Sequence, residues 1–436
     1  MENYDLLVIG GGPAGLAAAC EAKRQGVQRI LIVERDARLG GILPQCIHPG
    51  FGLELYQQEL TGPEFALRLV QETLDLQIET ALDTMVVKVE QLPGGGDGQG
   101  AGPSSGNPPF LGTFLKPGRG VVQIQCQAVV LAMGCRERTR GAIDIPGDRP
   151  SGIMTAGQAQ RYINVEGLMI GRQVVILGSG DIGLIMARRL TLEGARVVCV
   201  AEVMPWSGGL RRNIVQCLDD FDIPLRLSTT VTDIQGNGRL SQVTLQRVDD
   251  KLKPIPGTEE VVACDTLLLS VGLIPENELS RELGVELSPR TNGPVVDQNM
   301  ETSIPGVFAA GNVLHVHDLV DNVVKEAIKA GRDAAAYVLN TAGHGDKQAV
   351  AVIPGDGLTY ALPQKIEITH HLEDETADLY FRVAETMEDV YITVKQGDRV
   401  ILRRLKVFMT PGEMEKIRIL LAGITSQGPV LIEVEN

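Results

Sequence analysis

Two glycine clusters carry the first chemistry visible in this 436-residue chain. Gly10-Gly11-Gly12-Pro13-Ala14-Gly15 and Gly178-Ser179-Gly180-Asp181-Ile182-Gly183 both read G-x-G-x-x-G. In such a loop the first glycine permits a tight turn. The second lets backbone N–H groups approach a pyrophosphate, and the third lets helix and strand pack closely. A helix N-terminus behind the turn offers unpaired N–H groups and partial positive charge, which suit phosphates. An acid closes each unit: from Gly10 to Glu34 and from Gly178 to Glu202 the separation is the same, 24 positions. Each acid is placed to accept a ribose hydroxyl, and Arg35 beside Glu34 joins the candidate contacts of the first unit.

The elements needed to hold these residues repeat as well. Asp5-Leu6-Leu7-Val8-Ile9 is an apolar β-type run, followed by the first glycine cluster, an Ala-rich helical stretch, Gly26 and the strand-like Arg29–Val33. Gln173–Leu177, the second cluster, a helical run, Gly194 and Arg196–Ala201 repeat that order. One such loop alone is also compatible with a ligand-free β–α turn. Two copies in register, each with strand, helix and acid, predict two dinucleotide sites.

These features resemble the two-dinucleotide-binding flavoproteins of the pyridine nucleotide/FAD-dependent oxidoreductase superfamily, which includes thioredoxin reductase and NADH peroxidase. The resemblance covers about residues 5–340 and implies FAD in the first site and NAD(P)H in the second. Val129–Gly134 resembles the family's Ala-Thr-Gly strand, with Met133 in place of Thr. Ser303–Asn312 resembles its second FAD fingerprint, which normally ends in Gly-Asp and here ends in Gly311-Asn312. Asn keeps the capacity to hydrogen-bond a ribityl hydroxyl. Gly41, Gly134, Gly311 and Asn312 therefore join the implied FAD contacts. A narrower likeness lies in Gly40–His48, Gly134–Arg138 and Leu314–Asp318. These stretches look like the flavoprotein subunits encoded beside glycerol-3-phosphate dehydrogenases, related to the flavin subunits of hydrogen cyanide synthase and opine oxidase. That likeness implies a hetero-complex or oligomer with a partner flavin dehydrogenase and a small Cys-rich or iron–sulfur redox protein.

Three positions are candidate catalytic residues. By the same resemblance, Cys46 falls at nearly the offset of the flavin-contacting cysteine of the disulfide reductases, and His48 is placed to depress its pKa. The seven cysteines contain no C-x-x-C, so an internal dithiol cycle is not expected. A single-Cys thiol, peroxide or CoA-disulfide reductase stays open, as does a packed thiol lining the flavin. Thr155–Gln160 lacks the C-x-x-C that thioredoxin reductases carry there, so thioredoxin reduction is not expected. His315 and His317 follow the second fingerprint, just before a helix expected to begin near Asp318 or Leu319. The H-x-H pair reads as flavin-proximal proton or hydrogen-bond groups, with His317 the catalytic candidate, or as structural hydrogen bonding. As a metal pair it lacks a third ligand at suitable spacing, and no metal is expected. Glu202 favours NAD over NADP because an acid there repels a 2′-phosphate, although Arg211 and Arg212 leave a phosphate contact open.

The expected fold is α/β, with two Rossmann-like domains of the thioredoxin/glutathione-reductase type and a small C-terminal antiparallel β domain. Residues 1–147 and 274–345 are assigned to a discontinuous FAD domain, 148–273 to the NAD(P) domain, and 350–436 to a β-sandwich-like interface module. Leu92–Gly118, rich in Gly, Pro and Ser, reads as a flexible hairpin tip. In the last module, period-2 runs predict strands at 365–368, 379–383, 390–394, 399–402, 417–420 and 430–434.

Composition bounds the alternatives. Hydrophobic residues at 44% and charged residues at 22% exclude a disordered chain. A net charge of −15 leaves no bulk footprint for nucleic acid. No apolar run approaches a membrane span. The N-terminus has no basic region of a secretory signal, so a cytoplasmic location is expected. An odd cysteine count without clustering disfavours a disulfide framework, a structural zinc and an iron–sulfur site. Two readings compete with an NAD(P)H/FAD oxidoreductase: the self-contained Cys46 reductase, and a non-catalytic nucleotide-binding scaffold subunit.

Overall fold

A computed structural model describes residues 2–92, 109–341, 348–368 and 375–435. The chain divides into two units. One comprises Met1–Pro44, Pro49–Cys135 and Pro275–Asn436; the other comprises Gln45–His48 and Arg136–Ile274.

The first unit is built on a seven-stranded sheet. Glu79–Ala81, Ile30–Val33, Glu2–Ile9, Gly120–Leu131, Phe110–Lys116 and Met85–Gln91 lie in that order, and Val307–Ala309 pairs with the end of Gly120–Leu131. The pairs around Glu2–Ile9 are parallel. Leu6–Ile9, Ile30–Val33 and Ala128–Leu131 are buried without alternation, as parallel strands covered on both faces are. The helix Pro13–Arg24 starts with Gly12 as N-cap and Pro13 in its first turn, where the missing N–H costs nothing. It packs on the long helix Val320–Val338 at bare backbone: a Cβ on Gly331 would lie 2.2 Å from the Ala18 carbonyl oxygen. The glycine-rich tip expected within 92–118 falls largely at 93–108, outside the described residues. The hairpin strands Met85–Gln91 and Phe110–Lys116 flank it.

Residues 348–435 belong to this same unit. Their strands form a five-stranded sheet, in the order Lys365–Ile368, Gln348–Pro354, Val430–Glu435, Met387–Gln396, Arg399–Met409. A second sheet orders Leu358–Leu362, Thr376–Val383 and Glu415–Leu420. Leu379, Phe381, Ile392, Val394 and Ile432 fill the space between them. All six strands expected from alternation are present. Gln348–Pro354 and Leu358–Leu362 lie outside those expectations, because a Pro-Gly-Asp-Gly turn interrupts their pattern. One pairing departs from the antiparallel expectation: Gln348–Pro354 runs parallel to Val430–Glu435.

The second unit carries a five-stranded parallel sheet ordered Ile153–Thr155, Thr266–Leu269, Gln173–Leu177, Arg196–Ala201, Leu225–Arg226. A three-stranded antiparallel meander, Thr229–Asn237, Arg239–Arg247 and Glu260–Ala263, accompanies it. Among the described residues no helix is long and apolar enough to cross a membrane.

Candidate functional site

The first glycine loop is fixed by sterics. Gly10 has φ +107°, and a Cβ there would sit 2.3 Å from the Ala132 carbonyl oxygen. A Cβ on Gly15 would lie 1.8 Å from the Gly10 carbonyl oxygen, so only glycine lets Pro13–Arg24 start this close to the sheet. Glu34 latches the turn: its Oε2 accepts from Gly11 N at 2.7 Å and its Oε1 from Asp36 N at 2.7 Å. A carboxylate has about four lone-pair sites, so two stay available for hydroxyl donors. Gly12 and Gly41 face each other with bare backbones, and a Cβ on Gly41 would come within 3.0 Å of Gly12 Cα. Arg35, which follows Glu34 in the chain, is exposed.

The second loop repeats the construction. A Cβ on Gly178 would meet the Ser270 carbonyl oxygen at 2.1 Å, and one on Gly183 the Gly178 carbonyl oxygen at 2.8 Å. Glu202 Oε2 accepts from Ser179 N at 2.8 Å and Ser179 Oγ at 2.7 Å, and Oε1 accepts from Met204 N at 3.0 Å. Asp181 stands where the first loop has Pro13. Its Oδ1 accepts from Leu210 N at 2.8 Å and from Asn213 Nδ2 at 2.7 Å. Gly208 N donates to Ser179 Oγ at 3.0 Å. The segment after Glu202 is therefore tied to the glycine loop. Ile182 and Gly180 are half-buried there, and Arg211 and Arg212 are exposed.

The second fingerprint closes on the first loop. A Cβ on Gly311 would lie 2.9 Å from Ala14 Cβ, so Gly311 approaches the start of Pro13–Arg24. Gly134 takes φ +73°, and its carbonyl accepts from Glu276 N at 3.0 Å. Asn312 is used internally: Oδ1 accepts from His317 N at 3.1 Å, and Nδ2 donates to Cys135 Sγ at 3.5 Å. The helix after this turn begins at Val320, one or two residues beyond the expected start.

Behind the fingerprint lies a buried cluster whose main member sequence reasoning missed. Glu326, on Val320–Val338, accepts from Gly311 N at 2.7 Å. Its Oε2 lies 3.0 Å from His315 Nε2 and its Oε1 lies 3.2 Å from His317 Nε2. His315 Nδ1 meets the Tyr360 hydroxyl at 3.3 Å, and the two imidazole centroids are 4.1 Å apart. Among the described residues His317 Nδ1 has no hydrogen-bond partner. Burial, helped by neighbouring His317, pushes His315 down to about 4. Burial alone would raise Glu326, but the two imidazoles outweigh it and hold the carboxyl below its ordinary range. Asp318 accepts from Met414 N at 2.7 Å and pairs with Arg382, tying residues 348–435 to the fingerprint loop. No local motif marks Glu326. The only hint is an acid on the apolar face of a helix.

Cys46 and His48 group with the second unit. Cys46 Sγ donates to Gln160 Oε1 at 3.6 Å, and neighbouring Gln45 donates through Nε2 to Gly157 O at 2.9 Å. Burial pushes the Cys46 thiol up to about 12, opposite to the depression expected from His48. The cysteine beside the fingerprint is Cys135.

Two sheets, one mixed and one parallel, each presenting an acid-latched glycine loop from its parallel strands, define a two-nucleotide α/β protein. The family model described as pyridine nucleotide-disulphide oxidoreductase matches residues 4–334, and the chain belongs to that family of FAD- and pyridine-nucleotide-binding oxidoreductases. It is 28% identical to an alkyl hydroperoxide reductase subunit of Pseudomonas putida, over 78% of this chain and 59% of that one. An opine oxidase subunit of Agrobacterium tumefaciens is 25% identical, over 71% of this chain and 61% of that one. The HcnB subunit of hydrogen cyanide synthase from Pseudomonas protegens is 26% identical, over 77% and 70%. The match thus spans about three fifths of the first two relatives. In fold the chain is similar to thioredoxin reductase of T. acidophilum, with TM-score 0.62 and 22% identity over 77% of this chain and 99% of that one.

Proposed function

We propose that the chain is an FAD-dependent NADH oxidoreductase that exchanges electrons with a partner redox protein. The twin latch carries this reading: Glu34 on Gly11 N and Glu202 on Ser179 N hold two nucleotide loops in the same form. The first loop fits FAD, because the facing backbones of Gly12 and Gly41 leave a cradle that any side chain would fill. Gly10, Gly12, Pro13, Ala14, Gly15, Glu34, Arg35, Gly41 and Gly134 would hold it, with Gly311 and Asn312 of the second fingerprint. When bound, FAD supplies two-electron hydride chemistry. The protein's part is to bind, orient and exclude water. Gly178, Gly180, Asp181, Ile182 and Gly183 would hold the nicotinamide nucleotide. The Glu202 carboxylate accepts ribose hydroxyls and repels a 2′-phosphate, which favours NADH over NADPH. His317 presents Nδ1 as its open ring atom and is the proposed hydrogen-bonding group toward the flavin.

A partner acceptor is favoured because the seven cysteines include no C-x-x-C that could run an internal dithiol cycle. An odd, unclustered set of cysteines also suits the cytoplasm, the proposed compartment. Relatives named as subunits of hydrogen cyanide synthase and opine oxidase support assembly with other chains. The Cys46 reductase is the second reading, and a thiol raised to about 12 is a poor nucleophile at neutral pH. Anaerobic titration of the purified protein with NADH and NADPH tests the proposal. Bleaching of a flavin spectrum by about one equivalent of NADH, and less readily by NADPH, is expected. A yellow protein that neither nucleotide reduces points to a scaffold. Loss of turnover in Cys46→Ser with intact flavin reduction moves the function to the thiol.

A further inference from the structure

The cluster behind the second fingerprint is more than a hydrogen-bonded corner. His315, His317 and Glu326 each offer one ligand atom, all within 4.8 Å of one another in a buried site, and both Nε2 atoms lie against the carboxylate. The imidazole–carboxylate spacings of 3.0 and 3.2 Å suit atoms sharing one small cation, for which bonds of about 2.0–2.2 Å to nitrogen and carboxylate oxygen are usual. The Glu326 carboxylate is fully buried, reached by the Gly311 N–H and the two imidazoles, and the nearby Arg382 is committed to Asp318.

The donor set also selects the ion. Two imidazoles and one carboxylate suit first-row divalent metals, whereas calcium and magnesium favour all-oxygen sites. We infer that His315, His317 and Glu326 bind one divalent first-row transition-metal ion such as zinc. The metal takes the lone pair of each Nε2; the proton each Nε2 gives to its bond with the carboxylate in the metal-free site moves to Nδ1 of the same ring, so a neutral imidazole releases none on binding. His315 Nδ1–H then donates to the Tyr360 hydroxyl oxygen, the outer contact that typically orients a metal-bound histidine. The same tautomer makes His317 Nδ1 a fixed donor. The ion joins three pieces: the turn after Gly311, the helix Val320–Val338 and, through Tyr360, the strand Leu358–Leu362. The sequence hid this site because its third ligand sits nine residues past His317 on a different element. The inference is independent of the nucleotide reading, since the site stands on protein groups alone.

The test is metal content of the untagged full chain, purified without chelators and passed over a desalting column. Wild type is expected to retain about one equivalent of a single transition metal per chain. His315→Ala and His317→Ala are each expected to lower that content at least about tenfold, while Cys46→Ser leaves it unchanged. Since either histidine variant can misfold, the second measurement uses wild type alone. Chelator-stripped protein titrated with cobalt(II) should give a saturable high-spin EPR signal with nitrogen ligation. Metal-free wild type that takes up no cobalt overturns the inference. So does metal that survives both histidine substitutions.

Discussion

The two glycine loops solve one steric problem in the same way and then part. In both, the first glycine lies against a carbonyl of the neighbouring strand's exit, at Ala132 or Ser270, and the acid bonds the N–H after that glycine. They differ at the start of the helix. The first loop presents Pro13, which is uncharged and leaves the helix terminus to a ligand. The second presents Asp181, whose carboxylate holds Leu210 N and Asn213 Nδ2. Backbone sterics fix the turn, and one helix-terminal side chain decides what covers it.

The sharpest way to break this comparison is a side chain at the third glycine. Gly15→Val should abolish bound flavin and much of the soluble yield, since overpacking there costs about 3 kcal/mol or more. Gly183→Val should leave the flavin spectrum intact and abolish its reduction by NADH. Equal losses in both variants, read by flavin absorbance and stopped-flow reduction, would show that the units do not bind separately. Next comes the second latch. Glu202→Ala removes the acceptor of Ser179 N, Ser179 Oγ and Met204 N, and should weaken NADH by about 2 kcal/mol while narrowing the preference over NADPH. A preference that holds, measured as the ratio of reduction rates, assigns nucleotide choice elsewhere.

A pH experiment on chelator-stripped protein separates the regions through the buried cluster. His315 titrates near 4 in the folded state against about 6.5 when unfolded, so the unfolded chain binds the extra proton between those values. Its contribution is complete above about pH 6.5 and is lost toward pH 4, by at most about 1.4 kcal/mol per unit. Glu326, also held low, acts in the same direction at more acid pH. The first unit should therefore lose thermal stability from pH 6.5 to 5, followed by calorimetry, and His315→Asn should flatten that slope. The smallest effect belongs to Asp181→Asn, which keeps one acceptor oxygen for Leu210 N but removes the charge. NADH affinity should shift by less than about 1 kcal/mol, read by fluorescence titration.

What was legible follows from how far each constraint reaches along the chain. The glycine loops and their acids were readable because Gly10, Gly15 and Glu34 answer to neighbours within one strand–helix–strand unit. The strands of 365–434 were readable from alternation, but Leu358–Leu362 hid behind a turn. Glu326, Tyr360 and Arg382 were invisible because they meet His315, His317 and Asp318 only through tertiary packing. Cys46 was placed by its offset from Glu34, yet residues 45–48 belong to the second unit, where they pack on Gly157 and Gln160. An offset counts residues and does not say which unit a side chain joins.

The interrupted path of the first unit sets an order of events during synthesis. Val129 pairs with Val307, and everything from Arg136 to Ile274 is made between them. At about 5–20 residues per second, the strand ending at Leu131 waits on the order of ten seconds for its neighbour. The second unit, apart from Gln45–His48, emerges as one continuous stretch. It can complete its sheet on the ribosome while the apolar edge of Ala128–Leu131 is still uncovered. That edge is where nascent chains would need chaperone protection, and slowing translation after residue 274 should lower the yield of flavin-loaded protein more than slowing it before residue 120.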